Sequence, residues 1–141
     1  MNVYFNNKNM LPLTTIGLIG ILCMCACYTD WVGASFLGVC VLAQCACLYG
    51  IYNKDESLMG WTHIMFGVTI FVGTFLGRKI INYILVILLL FVMWTRGARG
   101  SCMYDYYTTK YMDVIPLNGK NMDIYLGCLV LFNLFYIIYD K

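Results

Sequence analysis

Long apolar runs alternate with short polar breaks along this chain. Residues 11–28 carry no charge, Asp30 interrupts, and residues 31–52 are uncharged again. Asn53-Lys54-Asp55-Glu56-Ser57 forms a polar break, followed by 58–77 with no formal charge if His63 is neutral. Arg78-Lys79 then separates off 80–94, the most apolar run of all. Residues 95–121 are polar, basic and rich in Tyr, and 122–139 are apolar apart from Asp123 and Asn133. A membrane-spanning helix needs about 20 apolar residues. The runs are continuous rather than alternating, which argues against a β-barrel. Helices satisfy every backbone group within lipid. The pattern therefore predicts an all-α, polytopic transmembrane helical bundle. It forms one membrane domain over 1–141, with spans at about 11–28, 31–52, 58–77, 78–96 and 122–139. A short amphipathic surface helix is expected within 97–121.

The run 80–94 is the shortest, about 22 Å as a helix. Eleven of its residues are Ile, Leu, Val or Phe, which offsets Asn82. The run 11–28 has seven such residues and carries Pro12 near its start, where a helix tolerates proline. The short link Thr29-Asp30 predicts a tight hairpin between the first two spans. A four-span version, with 58–77 at the interface, would leave both termini on one side.

Composition narrows the class. The chain is 62% hydrophobic and 11% charged, too few charges to cover a soluble globule. A soluble enzyme, a disordered tail and a small secreted scaffold are excluded on this ground. The net charge of +2 gives no reason to expect a nucleic-acid partner. Position matters more than the total. With five spans, Lys8, Lys54, Arg96, Arg99, Lys110 and Lys120 share the N-terminal side, and Arg78, Lys79 and Lys141 lie opposite. The positive-inside rule then puts the N-terminus inside and the C-terminus outside. No cleavable signal is expected, because Lys8 alone precedes a long first apolar run.

The candidate chemistry is sparse. Of eight cysteines, seven lie inside apolar runs and Cys102 lies in the polar segment. Buried free cysteine behaves as a small hydrophobe. Cys23, Cys25 and Cys27 are two apart, about 200° on a helix, so they cannot converge on one metal. Cys23 and Cys27 do share a face. No metal or cofactor is expected. Cys45 and Cys47, near the inner face, are candidates for lipidation. His63, one turn inside the third span, reads as an interfacial residue, because no Asp or Glu lies deep in a run to relay protons. No Ser-His-Asp set, carboxylate pair or phosphate loop is present, so an enzyme is not expected. The small residues Ala34, Gly38, Gly60, Gly67, Gly73 and Gly77 fall at spacings that let helices approach closely. Gln44, Thr69, Asn82 and Asn133 suit hydrogen bonds across helices.

Residues 95–121 carry the strongest local pattern. Tyr104, Tyr107, Thr108, Tyr111, Met112 and Ile115 recur on one helical face, and Pro116 with Asn118-Gly119 ends it. A helix lying on the membrane surface would set its Tyr rings at headgroup depth. Arg96, Arg99, Lys110 and Lys120 would face anionic lipid, each worth about 1 kcal/mol near the surface. Tyr104, Tyr107 and Tyr111 complete this contact set.

Phe91-Val92-Met93-Trp94, a short basic Gly-containing link, and Cys102 with Tyr104-Asp105 together resemble small multi-span membrane proteins of nucleocytoplasmic large DNA viruses. The abundance of Asn and Tyr is similar. The resemblance implies a virion-membrane or host-endomembrane protein and carries over no catalytic residue. The expected role is structural, assembling or membrane-organising, with the basic Tyr-rich loop presented to the lipid bilayer or a protein partner, and with self-association open. Two other readings stay open. One is a small oligomeric channel or carrier with an interior passing Gln44, Asn82 and Asn133. The other is an intramembrane thiol oxidoreductase using Cys102.

Overall fold

The computed structural model describes residues 7–99 and 120–139, with side chains over 11–98 and 122–139. Among the described residues the protein is all-helical: α1 (Asn7–Ala26), α2 (Trp31–Asn53), α3 (Glu56–Phe75), α4 (Lys79–Arg99) and α5 (Lys120–Tyr139). Four of them, α2 to α5, are long and apolar enough to cross a membrane. The 23 residues of α2 rise about 34 Å, against a hydrocarbon core near 30 Å. The shorter apolar helix is Leu11–Ala26 within α1.

The run 80–94, shortest in the sequence, sits in a helix of full spanning length, as its composition allowed. Helix α4 does not stop at its apolar run but continues to Arg99. Two side chains support the extension: the Thr95 hydroxyl donates to the Val92 carbonyl (2.9 Å), and Arg96 bonds Asp123. Basic residues here also complement the orphan carbonyls of a helix end. Residues 97–99 therefore belong to α4 and not to a surface segment. The rest of the expected surface helix, 100–119, lies outside the described residues.

The turns follow from local chemistry. Between α1 and α2, the Cys27 and Tyr28 amides donate to the Met24 and Cys25 carbonyls (3.1 and 3.0 Å). Asp30 then caps α2, its carboxylate accepting from the Gly33 amide (3.0 Å). Asp55 caps α3 in the same way through the Leu58 amide (3.0 Å). Lys54 just before it adopts a left-handed conformation, φ 56°. Gly77 does so between α3 and α4, φ 60°, where an L side chain would be strained.

These turns make α2 and α3 antiparallel, in a regular register. Phe36 meets Gly73, Cys40 meets Thr69, Cys47 meets Thr62, and Gly50 meets Met59. Helix α1 packs on α2, giving a three-helix unit, and α4 pairs with α5. The two units meet less extensively, through α3. Leu85 of α4 reaches the Gly73 backbone there, and Leu37, Ile70, Ile81, Leu89 and Leu129 fill the shared core.

The distribution of polarity is the inverse of a soluble globule. Leu42, Ile87, Leu131 and Ile138 are about 70% exposed, whereas Thr15, Thr74, Asn82 and Asn133 are 1% exposed or less. Exposed Tyr and Trp residues gather near the two ends of the bundle. Tyr28, Trp31, Tyr83 and Tyr139 lie toward one end, and Tyr49, Tyr52, Trp61 and Trp94 toward the other. Such belts mark the two membrane–water interfaces. In lipid, apolar burial does not drive helices together, so packing and interhelical hydrogen bonds carry the association.

Candidate functional site

Two ion pairs define the ends of the bundle. At one end Arg78, beside the start of α4, bonds Asp30, the cap of α2 (2.7 Å). At the other end Arg96, near the close of α4, bonds Asp123 in the first turn of α5 (2.8 Å). The second pair engages Arg96, which the sequence pattern groups with the residues expected to face anionic lipid. Its side chain is only 13% exposed, held inward by Asp123. The remainder of the expected lipid-contact set is less defined. Arg99 closes α4 and Lys120 opens α5, both without described side chains, and Tyr104, Tyr107, Lys110 and Tyr111 lie outside the described residues.

The small residues divide sharply. A side chain at Gly73 would press on the Phe36 ring (2.9 Å) and on Leu85 (3.1 Å), so this glycine admits α2 and α4 together. Gly60 is buried and Ala34 half-buried. Gly38 and Gly67 are exposed and have open space where a Cβ would stand. Each lies one residue past a residue that faces inward, Leu37 or Phe66, and so about 100° around the helix. They do not serve packing within the bundle. Gly77 is a turn residue beyond α3, so Gly73 and Gly77 do not form one helical face. Two packing glycines had escaped the spacing argument. Gly33 lies under the Asp30 cap, and Gly50 lies against Met59 (3.1 Å). Both fall in register with Leu37, Gln44 and Cys47, the buried stripe of α2, which is the signal that finds them.

The cysteines sort by face. Cys47 is 3% exposed and packs on Thr62, so an acyl group there would have to displace α3, and the lipidation reading fails at this position. Cys45 faces outward. Cys40 and Cys47 both meet Thr hydroxyls whose hydrogens are already donated along α3, to Phe66 and Met59 carbonyls (2.9 and 3.0 Å). Those oxygens are left to accept from the thiols. The Cys27 thiol donates back to the Cys23 carbonyl (3.6 Å), on the face the spacing predicted. Cys102 lies outside the described residues.

Of the polar core residues, Asn133 makes a cross-helix bond. Its amide donates to the Thr74 hydroxyl (3.0 Å) and to the Leu129 carbonyl (2.8 Å). The carboxamide oxygens of Gln44, Asn82 and Asn133 are buried without a hydrogen-bond partner. Gln44 borders a cavity of about 30 Å³ with Cys40 and Thr69.

Two larger cavities flank the junction of the two units. One, about 530 Å³, runs between α1 and α4. The other, about 320 Å³, is a crevice between α3 and the α4–α5 pair. Phe66 borders all three cavities. The crevice is walled by Phe66, Ile70, Val92, Leu126 and Leu129, with His63 and Arg96 also on its lining. Above it, Thr74–Asn133 and a row of rings, Phe71–Phe75–Phe132–Tyr136, hold α3 to α5 (centroids 5.0, 5.4 and 5.4 Å).

An apolar exterior, aromatic belts and polar groups turned inward define a polytopic helical bundle of the membrane type. No family model, curated protein or solved structure matches the chain.

Proposed function

We propose that this is an integral membrane protein with a structural or membrane-organising role, one that presents the Tyr-rich segment 100–119, with Lys110 and the flanking Arg99 and Lys120, to an anionic lipid surface. The observation that carries the reading is the inverted polarity, with Leu42, Ile87, Leu131 and Ile138 outward and Asn133 and Thr74 inward. In water this exterior would aggregate; in a bilayer it is the ordinary solvent-facing side. The cross-helix use of Asn133 supports packing over conduction, because its amide is committed to Thr74 and Leu129. In the proposed topology α1 also spans, its 20 residues drawn in by the tight turn onto α2. The N-terminus then faces inside and the C-terminus outside, in a virion or host membrane if the viral resemblance holds.

Spin-labelled phosphatidylserine and phosphatidylcholine test the role directly. The reconstituted protein is expected to immobilise phosphatidylserine preferentially. Reversing Arg99 and Lys110 to Glu is expected to remove most of that preference, since each basic residue contributes about 1 kcal/mol near the surface. An unchanged preference would overturn the proposed role of the segment. Tags at the two termini test the topology: opposite sides are expected, and the same side would mean that α1 does not cross.

A further inference from the structure

We infer that the small cavity where α1, α2, α3 and α4 meet is a buried water site, with a water molecule donating to the Gln44 carboxamide oxygen and to the Thr69 hydroxyl oxygen. The site needs only the helix packing and stands apart from the lipid-facing role proposed above. Gln44 lies in the interior of α2 and is 5% exposed, and its carboxamide oxygen has no partner in the protein. An unmet acceptor away from bulk water is costly, and ordered water satisfies such groups where they border a cavity. The cavity measures about 30 Å³, and a water molecule needs at least about 10–15 Å³. Its polar lining is Cys40, Gln44 and Thr69, and Leu37, Ile70, Ile81 and Leu85 of the core stand around them.

The hydrogen-bond inventory selects the occupant. The Thr69 hydroxyl hydrogen goes to the Phe66 carbonyl (2.9 Å), and the Cys40 thiol takes one lone pair of the Thr69 oxygen. A hydroxyl oxygen accepts twice, so one position is left. The last side-chain torsion of glutamine is broad, which lets the carboxamide turn its oxygen toward the cavity. Gln44 and Thr69 thus each call for a donor, and water brings two. An acyl-chain end, the other molecule at hand in a bilayer, brings none. A calcium or magnesium ion takes about six or more oxygens, against the side-chain oxygens of Gln44 and Thr69 alone on this lining.

The test is solid-state NMR of the full chain in phosphatidylcholine bilayers. Gln44 is the only glutamine in the chain, so glutamine carrying 15N in its side-chain amide marks a single site. Magnetisation from water protons is expected to reach this amide. No transfer, or transfer from acyl-chain protons alone, would overturn the proposal. Thr69→Val keeps the shape and removes one acceptor, so most of the water signal should be lost, whereas Thr69→Ser should retain it. A water signal indifferent to Thr69→Val would overturn the placing between Gln44 and Thr69. If Thr69→Val does not fold, as judged by Trp emission, the wild-type and Thr69→Ser spectra still decide. Osmotic swelling of proteoliposomes separates an enclosed water from a water path. Permeability equal to that of protein-free vesicles is expected. A several-fold rise, abolished by Gln44→Leu, would overturn the enclosed site in favour of conduction past Gln44.

Discussion

The bond between Asn133 and Thr74 is the most direct test of how the two helical units are held together. Asn133 is fully buried on α5, and its amide donates to the Thr74 hydroxyl of α3 (3.0 Å). Thr74 in turn donates to the Ile70 carbonyl (2.9 Å), so the hydroxyl serves as donor within α3 and acceptor across to α5. Thr74→Val keeps the shape and removes the acceptor. One Asn133 N–H then loses its partner, while the other keeps the Leu129 carbonyl (2.8 Å). Interhelical hydrogen bonds in membranes average about 0.6 kcal/mol and reach about 1.7. Full burial of both residues places this one toward the upper part of that range. Thr74→Val should therefore cost about 1 kcal/mol, and Thr74→Ser should cost less. Asn133→Leu removes the donor and also an oxygen that has no partner, so part of its cost is offset. The double variant should be less destabilised than the two single effects combined, by about 0.6–1.7 kcal/mol. Equilibrium unfolding in mixed detergent micelles measures this, read by Trp31, Trp61 and Trp94. Additivity within about 0.3 kcal/mol would refute the reasoning, because the two side chains would then not be coupled.

Three further outcomes follow from the packing and the turns. Gly73→Leu should destabilise by about 1–3 kcal/mol through the clash with Phe36 and Leu85, whereas Gly38→Leu, in open space, should stay within about 0.5 kcal/mol in the same unfolding assay. Asp30→Asn should cost at most about 1 kcal/mol, since the ion pair to Arg78 is solvent-exposed and Asn still caps; Asp30→Ala should cost a further 0.5–2 kcal/mol or so, and equal losses would show that the cap contributes nothing. Lys54→Gly should raise stability by about 0.5–1 kcal/mol by relieving a left-handed lysine, and a fall in the unfolding midpoint would contradict that turn geometry.

The sequence was a good guide to elements and a poor one to partners. Apolar runs and charged breaks located every described helix, because insertion and backbone satisfaction depend on local composition alone. They misjudged where α4 ends, because Arg96 looks like a stop until Asp123, 27 residues away, takes up its charge. The glycine spacing misjudged Gly38, Gly67 and Gly77 for a related reason. Periodicity puts residues on a common face but does not say which face meets a neighbour. The Cys–Thr rungs between α2 and α3 require the register of two helices, which the polar turn at Lys54 and Asp55 sets only in three dimensions.

The alternation of apolar and polar stretches, by itself, determined an all-helical chain suited to a bilayer, because lipid leaves the backbone few other solutions. Only the tertiary structure decided that Asn133 bonds Thr74, that Gly73 admits two neighbours while Gly67 meets none, and that α3 and α5 part to leave a crevice. Those outcomes depend on the relative rotation and tilt of helices that are apolar nearly all round. Composition is blind to rotation, whereas contacts between side chains are not.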